Sequence, residues 1–159
     1  MMLTPEQRAA MIDAIRQFPT QLEACVQPLN EHELTTRFIP GEWSVIQNVH
    51  HLADSHMNAF IRTKLLLLED RPTLKPYHQD DWAETPDATT TTLAASLAIL
   101  RGLHARWADL LASLKDEDWG RVGLHPEVGE VSVESILQTY ARHGVGHIEQ
   151  INKTLAAAP

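Results

Sequence analysis

Cysteine is nearly absent from this chain of 159 residues. Cys25 stands alone, so no intrachain disulfide can form, which suits a reducing compartment. It lies in a helical pattern and reads as a small buried hydrophobe rather than a reactive thiol. Long apolar runs are missing too. The longest, Leu65 to Leu68, is far too short to cross a bilayer. Residues Met1 to Arg8 hold no apolar segment of a secretory signal, so a soluble cytoplasmic protein with no membrane partner is expected. There is no run of Lys or Arg, and the formal net charge is −8, so a nucleic acid or anionic membrane would be repelled on average. No internal repeat or low-complexity tract is evident. What the chain does hold is 43% hydrophobic residues, enough for one domain over residues 1–159 with a sizeable core.

Apolar residues recur at helical spacing in four long stretches. Thr4-Pro5-Glu6-Gln7 opens the first, with a capping box between Thr4 and Gln7 and proline in the first turn. Pro19 should kink or split this helix, and Pro28 ends it. Ser44 and Gln47 form a second capping box, opening a helix that runs to about Leu68. Thr90 or Thr91 is expected to cap a third, reaching about Leu114, and Ser132 a fourth, reaching about Ala156. Between them, residues 30–42 read as irregular or as a short turn of helix. Residues 71–89 form a long loop carrying Tyr77, His78, Asp80, Asp81 and Trp82, and loops of that length are often functional. The polar stretch from Lys115 to Glu130 has room for a β-turn or hairpin. Four long amphipathic helices without a convincing strand pattern predict an all-α four-helix bundle with long loops.

His143 and His147 lie four residues apart on the last helix, so both imidazoles can reach one divalent metal. At roughly 100° per residue, His147 falls in the apolar stripe and His143 on its edge. Gly144 and Gly146 cost about 1 kcal/mol each in a helix interior. Close approach of a neighbouring helix or ligand would explain them. A third ligand has two candidates on the second helix. The wheel favours His50, beside the apolar face, and sets His51 in a polar stripe with Gln47, Asp54, Ser55, Asn58 and Arg62.

In order and spacing, these motifs resemble the DinB/YfiT-like superfamily, and its YfiT-like branch in particular. The resemblance rests on Trp43-Ser44, His51-Leu52-Ala53-Asp54 and His143-xxx-His147. Lys75-Pro-Tyr77, Trp82, His104-xx-Trp107 and His125-Pro-Glu-xx-Gly-Glu130 add to it, and together they cover most of residues 40–150. The resemblance implies an antiparallel four-helix bundle with one divalent metal per chain held by His51, His143 and His147. It thus selects His51 over His50 and makes the polar stripe a pocket wall. His50 and His56 would then support the packing around the ligands. Gly144-Val145-Gly146 departs from the bulkier or histidine-rich residues of relatives and implies a roomier pocket.

Three imidazoles suit zinc first, then nickel, iron or cobalt, and leave a coordination position open, as catalytic sites do. A metal there lowers the pKa of bound water toward ~7 or holds a thiol as its thiolate. Members of the family are described as metal-dependent hydrolases, and close relatives are linked to transfer of bacillithiol-type thiols. The expected activity is therefore transfer of a small thiol onto an electrophile, with hydrolysis of an amide, ester or lactone as the alternative. A metal-stabilised binding module without turnover is a third possibility. Arg62, Lys64, Lys75 and Tyr77 are candidates to hold a charged thiol, and Asp54 to orient a ligand imidazole. No general base is assigned, although His125 and Glu127 lie on a loop that could fold over the site. Homodimerisation is also expected, through Trp107, Trp119 and the leucine-rich third helix.

Overall fold

The computed structural model describes residues 3–90 and 92–159. Four long helices carry the fold: α1 (Pro5–Val26), α3 (Val45–Leu68), α6 (Ala94–Ala112) and α8 (Val133–Ala156). Short elements fill the connections: α2 (Glu31–Thr35), α4 (Gln79–Ala83), α5 (Pro86–Thr90), α7 (Asp116–Trp119) and the strands β1 (Val122–His125) and β2 (Gly129–Ser132). Three of the long helices start where local chemistry directs. Thr4 with Gln7 and Ser44 with Gln47 form reciprocal capping boxes, and Ser132 pairs in the same way with Ser135. The fourth differs. α6 begins at Ala94, after Leu93, which makes no capping hydrogen bond. Of the two threonines expected there, Thr91 lies outside the described residues and Thr90 closes α5.

Pro19 does not split α1, which runs unbroken from Pro5 to Val26 with the proline inside. A helical proline withholds the N–H that would serve the carbonyl four residues earlier, here that of Ile15. The Ile15 carbonyl finds its donor on another helix instead, in the ring of His104, at 2.6 Å.

Around the bundle the neighbours run α1–α6–α3–α8 and back to α1. Cross-helix partners give the directions. Arg16 meets Asp109 and Glu23 meets Arg101, so α1 and α6 are antiparallel. Asn48 meets His147 and Ser55 meets Tyr140, so α3 and α8 are antiparallel as well. His50 meets Ser96 and His56 meets His104, so the consecutive helices α3 and α6 run the same way. The segment between them must therefore travel back along the bundle, which is why it is long.

That returning segment covers α3. With α6 and α8 on two sides and α2, α4 and α5 over the rest, α3 has no solvent face in its first two turns. Every residue from Val45 to Ala53 is buried. The hairpin β1–β2 pairs Val122 with Ser132 through to His125 with Gly129. It also holds the start of the loop by hydrogen bonds between Leu124 and both Pro72 and Leu74.

The core is divided. One apolar cluster gathers Ile12, Phe60, Trp107 and Ile136 with their neighbours, and the other gathers Phe18, Leu22, Val49, Leu100 and Ile151. Histidine rings cross the bundle between them. Trp107 and Trp119, expected on a dimer face, are 0% and 4% exposed, because this chain's own core encloses both. Among the described residues no helix is long and apolar enough to cross a membrane.

Candidate metal centre

His51, His143 and His147 converge. Each offers one nitrogen, and the three nitrogens lie within 4.8 Å of one another. The ring of His51 sits 5.6 Å from that of His143 and 4.8 Å from that of His147, and the latter two are 4.6 Å apart. On α8 the four-residue spacing stacks the two rings on one face. On α3, His51 points toward α8, and His50 turns instead to α6, where its Nδ1 lies 2.7 Å from Ser96 Oγ. The wheel expectation for His50 fails because α3 is enclosed on all sides there, so both histidines are buried and periodicity cannot separate them.

The electrostatics suit a cation. Burial, and then the nearness of His147 and His143, push His51 down to about 3. Burial with His147 pushes His143 down to about 4, and burial alone does the same for His147. All three rings are therefore neutral near pH 7 and present lone pairs. His51 Nε2 is buried and, among the described residues, has no hydrogen-bond partner. A buried polar atom left unpaired is costly and asks for an explanation. A divalent ion at the centre of the cluster supplies one, and three imidazoles are an established donor set for such an ion.

Each α8 histidine is held from behind. His147 Nδ1 lies 2.8 Å from Asn48 Oδ1, and the Asn48 amide nitrogen donates to the Ser44 carbonyl at 3.0 Å. The amide is thereby oriented with its oxygen toward His147, so His147 Nδ1 donates and Nε2 is left free. His143 Nδ1 lies 3.0 Å from His56 Nε2, and His56 Nδ1 lies 2.7 Å from His104 Nε2. Trp43 walls the cluster, with its ring 4.7 Å from that of His51 and stacked parallel to that of His147.

A cavity of about 480 Å³ reaches His143. Ser55, Arg62, Tyr77, His125, Glu127 and Tyr140 are among its lining residues. The polar stripe of α3 is thus in part a pocket wall, and the loop carrying His125 and Glu127 does come over the site. Lys64 and Lys75 are exposed and do not line it. Tyr77 is half-buried against Trp82, with its phenol pushed up chiefly by burial.

Two expectations need correction. Asp54 makes no hydrogen bond to the three imidazoles among the described residues. Burial, followed by the charge of Asp87, raises the Asp54 carboxyl to about 6. Asn48 and His56 do the orienting in its place. The extra room expected at Gly144 is not in the pocket, because Phe18 of α1 fills it. Asn48 and His104 were missed as site residues. Asn48 sits three residues before His51, one turn away on the same face. His104 is a lone imidazole in the apolar stripe of α6.

Comparison with known proteins identifies the family and supports the fold. The family model described as the DinB superfamily matches residues 14–151. A Geobacillus kaustophilus protein named "Putative metal-dependent hydrolase" is 45% identical over 142 residues, 88% of this chain and 79% of that one. A Bacillus cereus protein of the same name is 40% identical over 156 residues, 96% and 90% of the two chains. The solved structure of YfiT from Bacillus subtilis, described as a probable metal-dependent hydrolase with an unusual four-helix bundle topology, superposes with a TM-score of 0.92. It is 37% identical and covers 96% of this chain and 87% of that one.

Proposed function

The chain belongs to the DinB superfamily, and from that premise we propose that His51, His143 and His147 hold one divalent cation, zinc by default, for catalysis on a small polar molecule in the adjoining cavity. The observation that carries this reading is His51 Nε2, buried and unpartnered among the described residues, on a ring that converges with two further neutral imidazoles. When bound, the cation supplies Lewis acidity that makes a thiol or a water nucleophilic at neutral pH. Nickel, iron and cobalt suit the same donors.

The chain's own residues do the rest. Trp43 keeps water from one side of the cluster. Arg62 lines the cavity beside the Tyr77 and Tyr140 hydroxyls, a setting for a substrate with carboxylate and hydroxyl groups. This favours transfer of a small polar thiol onto an electrophile. The sulfur forms its bond to carbon as the leaving group departs with the bonding pair, and the thiol proton passes to solvent. Hydrolysis is the second reading, favoured by the names its relatives carry and by His125 and Glu127 on the cavity wall, where a general base would stand.

Zinc-loaded protein is incubated with monochlorobimane and bacillithiol, cysteine or glutathione, and in parallel with ester, amide and lactone substrates. Metal-stripped protein and His51→Ala serve as controls. Conjugation that needs both metal and His51 is the expected result. Hydrolysis without conjugation replaces the first reading with the second. Bound metal with neither activity overturns both.

A further inference from the structure

A line of hydrogen bonds crosses the whole bundle behind His143 and touches all four long helices. It runs from His143 on α8 to His56 on α3 at 3.0 Å, to His104 on α6 at 2.7 Å, and to the Ile15 carbonyl on α1 at 2.6 Å. His56 is fully buried and His104 is 1% exposed, so water does not compete for these bonds. Phe18 packs against both rings, 5.4 Å from His56 and 5.3 Å from His104.

The line has a direction, which its end sets. A carbonyl only accepts, so His104 Nδ1 must carry its proton. In a neutral ring His104 Nε2 is then an acceptor, and His56 Nδ1 must donate to it. By the same step His56 Nε2 accepts and His143 Nδ1 donates. Three bonds use the three N–H groups of three neutral rings, with none left over. The remaining lone pair is on His143 Nε2. Burial holds His56 well below the ordinary imidazole range and lowers His104 too, against the opposing effect of its bond to Ile15, in keeping with neutral rings. The terminal acceptor traces to the proline in α1. Because Pro19 has no N–H, the Ile15 carbonyl lacks the helical donor it would otherwise have.

We propose that Pro19, through the Ile15 carbonyl, and the His104–His56 pair fix the tautomer of His143, so that Nε2 alone faces the metal centre. The proposal rests on the reading of His143 as a ligand. His56 and His104 are positioning residues: they reach the cation only through His143. All three rings are held in the Nδ1–H form, the less populated tautomer of a free histidine side chain in water. A ligand that has already adopted its binding tautomer spends no free energy on choosing it, and outer partners of this kind raise metal affinity about 10–100-fold.

Nitrogen-15 NMR of histidine side chains reads tautomers directly in metal-free protein. The expected result is the Nδ1–H pattern at positions 56, 104 and 143. An Nε2–H pattern or a protonated ring at any of the three overturns the proposal, whether or not the protein binds metal. Zinc and cobalt affinities are then measured for the wild type, His104→Leu and His104→Gln. Leucine should weaken binding about 10–100-fold and return His143 to a mixture of tautomers. Glutamine, which donates to a carbonyl and accepts from a ring, should restore much of both. Equal affinity in wild type and leucine variant overturns the proposal, and NMR of His104→Gln keeps the test open if leucine unfolds the chain. A wild type with the expected tautomers but no affinity for divalent metal overturns the ligand reading alone.

Discussion

Phe18 occupies the space that a side chain on Gly144 would need. A Cβ built at position 144 would come within 2.3 Å of Phe18 Cε2. Alanine gains about 1 kcal/mol in helix propensity over glycine, but overpacking a full core costs about 1–3 kcal/mol. Gly144→Ala is therefore expected to lower the melting temperature despite being the better helix former. Because Phe18 lies on the rings of His56 and His104, the same change should disturb their NMR signals. The matching change Gly146→Ala, where an added Cβ meets nothing within 4 Å, should be neutral or stabilising.

The adjacent histidines of α3 should respond in opposite ways. His51→Ala removes a donor of the cluster and is expected to abolish stoichiometric zinc binding, measured by calorimetry or elemental analysis. His50→Ala breaks the bond to Ser96, with a stability loss of about 1–2 kcal/mol, but leaves zinc stoichiometry at one. Loss of metal with His50 rather than His51 would reverse the assignment.

Asn48 should matter to the metal without touching it. Asn48→Ala deprives His147 Nδ1 of its acceptor, and zinc affinity is expected to fall about 10–100-fold. Asn48→Asp keeps an acceptor there and should retain more affinity than alanine. Titration against a competing chelator separates the two.

Asp54 makes a pH-dependent prediction of definite sign. Burial and Asp87 hold its carboxyl at about 6 in the folded protein, above the unfolded value of about 3.9. Between those values the folded state binds more protons than the unfolded one, so stability falls as pH rises. The contribution is full below about pH 4 and is lost through about pH 6. Asp54→Asn, which never ionises, should melt higher than the wild type at pH 8. The gap should close toward pH 4.5 in thermal scans of metal-free protein.

The parts of this fold legible in the sequence are those settled by short-range chemistry. Thr4, Ser44 and Ser132 announce their helices because a cap needs only the next three residues. The spacing of His143 and His147 sets their common face for the same reason. What the helical wheel could not reveal was which side of α3 is covered. His51 looked solvated because its neighbours at helical spacing are polar, yet segments far along the chain bury it. Only the likeness to relatives pointed to it. Pro19 was legible as a kink or a split; the helix is not split, since the donor that serves Ile15 arrives from α6. Asp54 was the obvious partner for a ligand by charge. Its place is taken by the Asn48 amide, which a search for carboxylates passes over, and by His56, which the resemblance had already marked as a support for the ligands.

The shared direction of α3 and α6 has a bearing on how this protein could change over time. The three histidines proposed to hold the cation all sit on α3 and α8, two helices that pack against each other. Tyr77 and the hairpin loop, by contrast, come from stretches free to lengthen, shorten or swap residues. New specificities can therefore be tried on these cavity-lining segments while the three histidines stay in place.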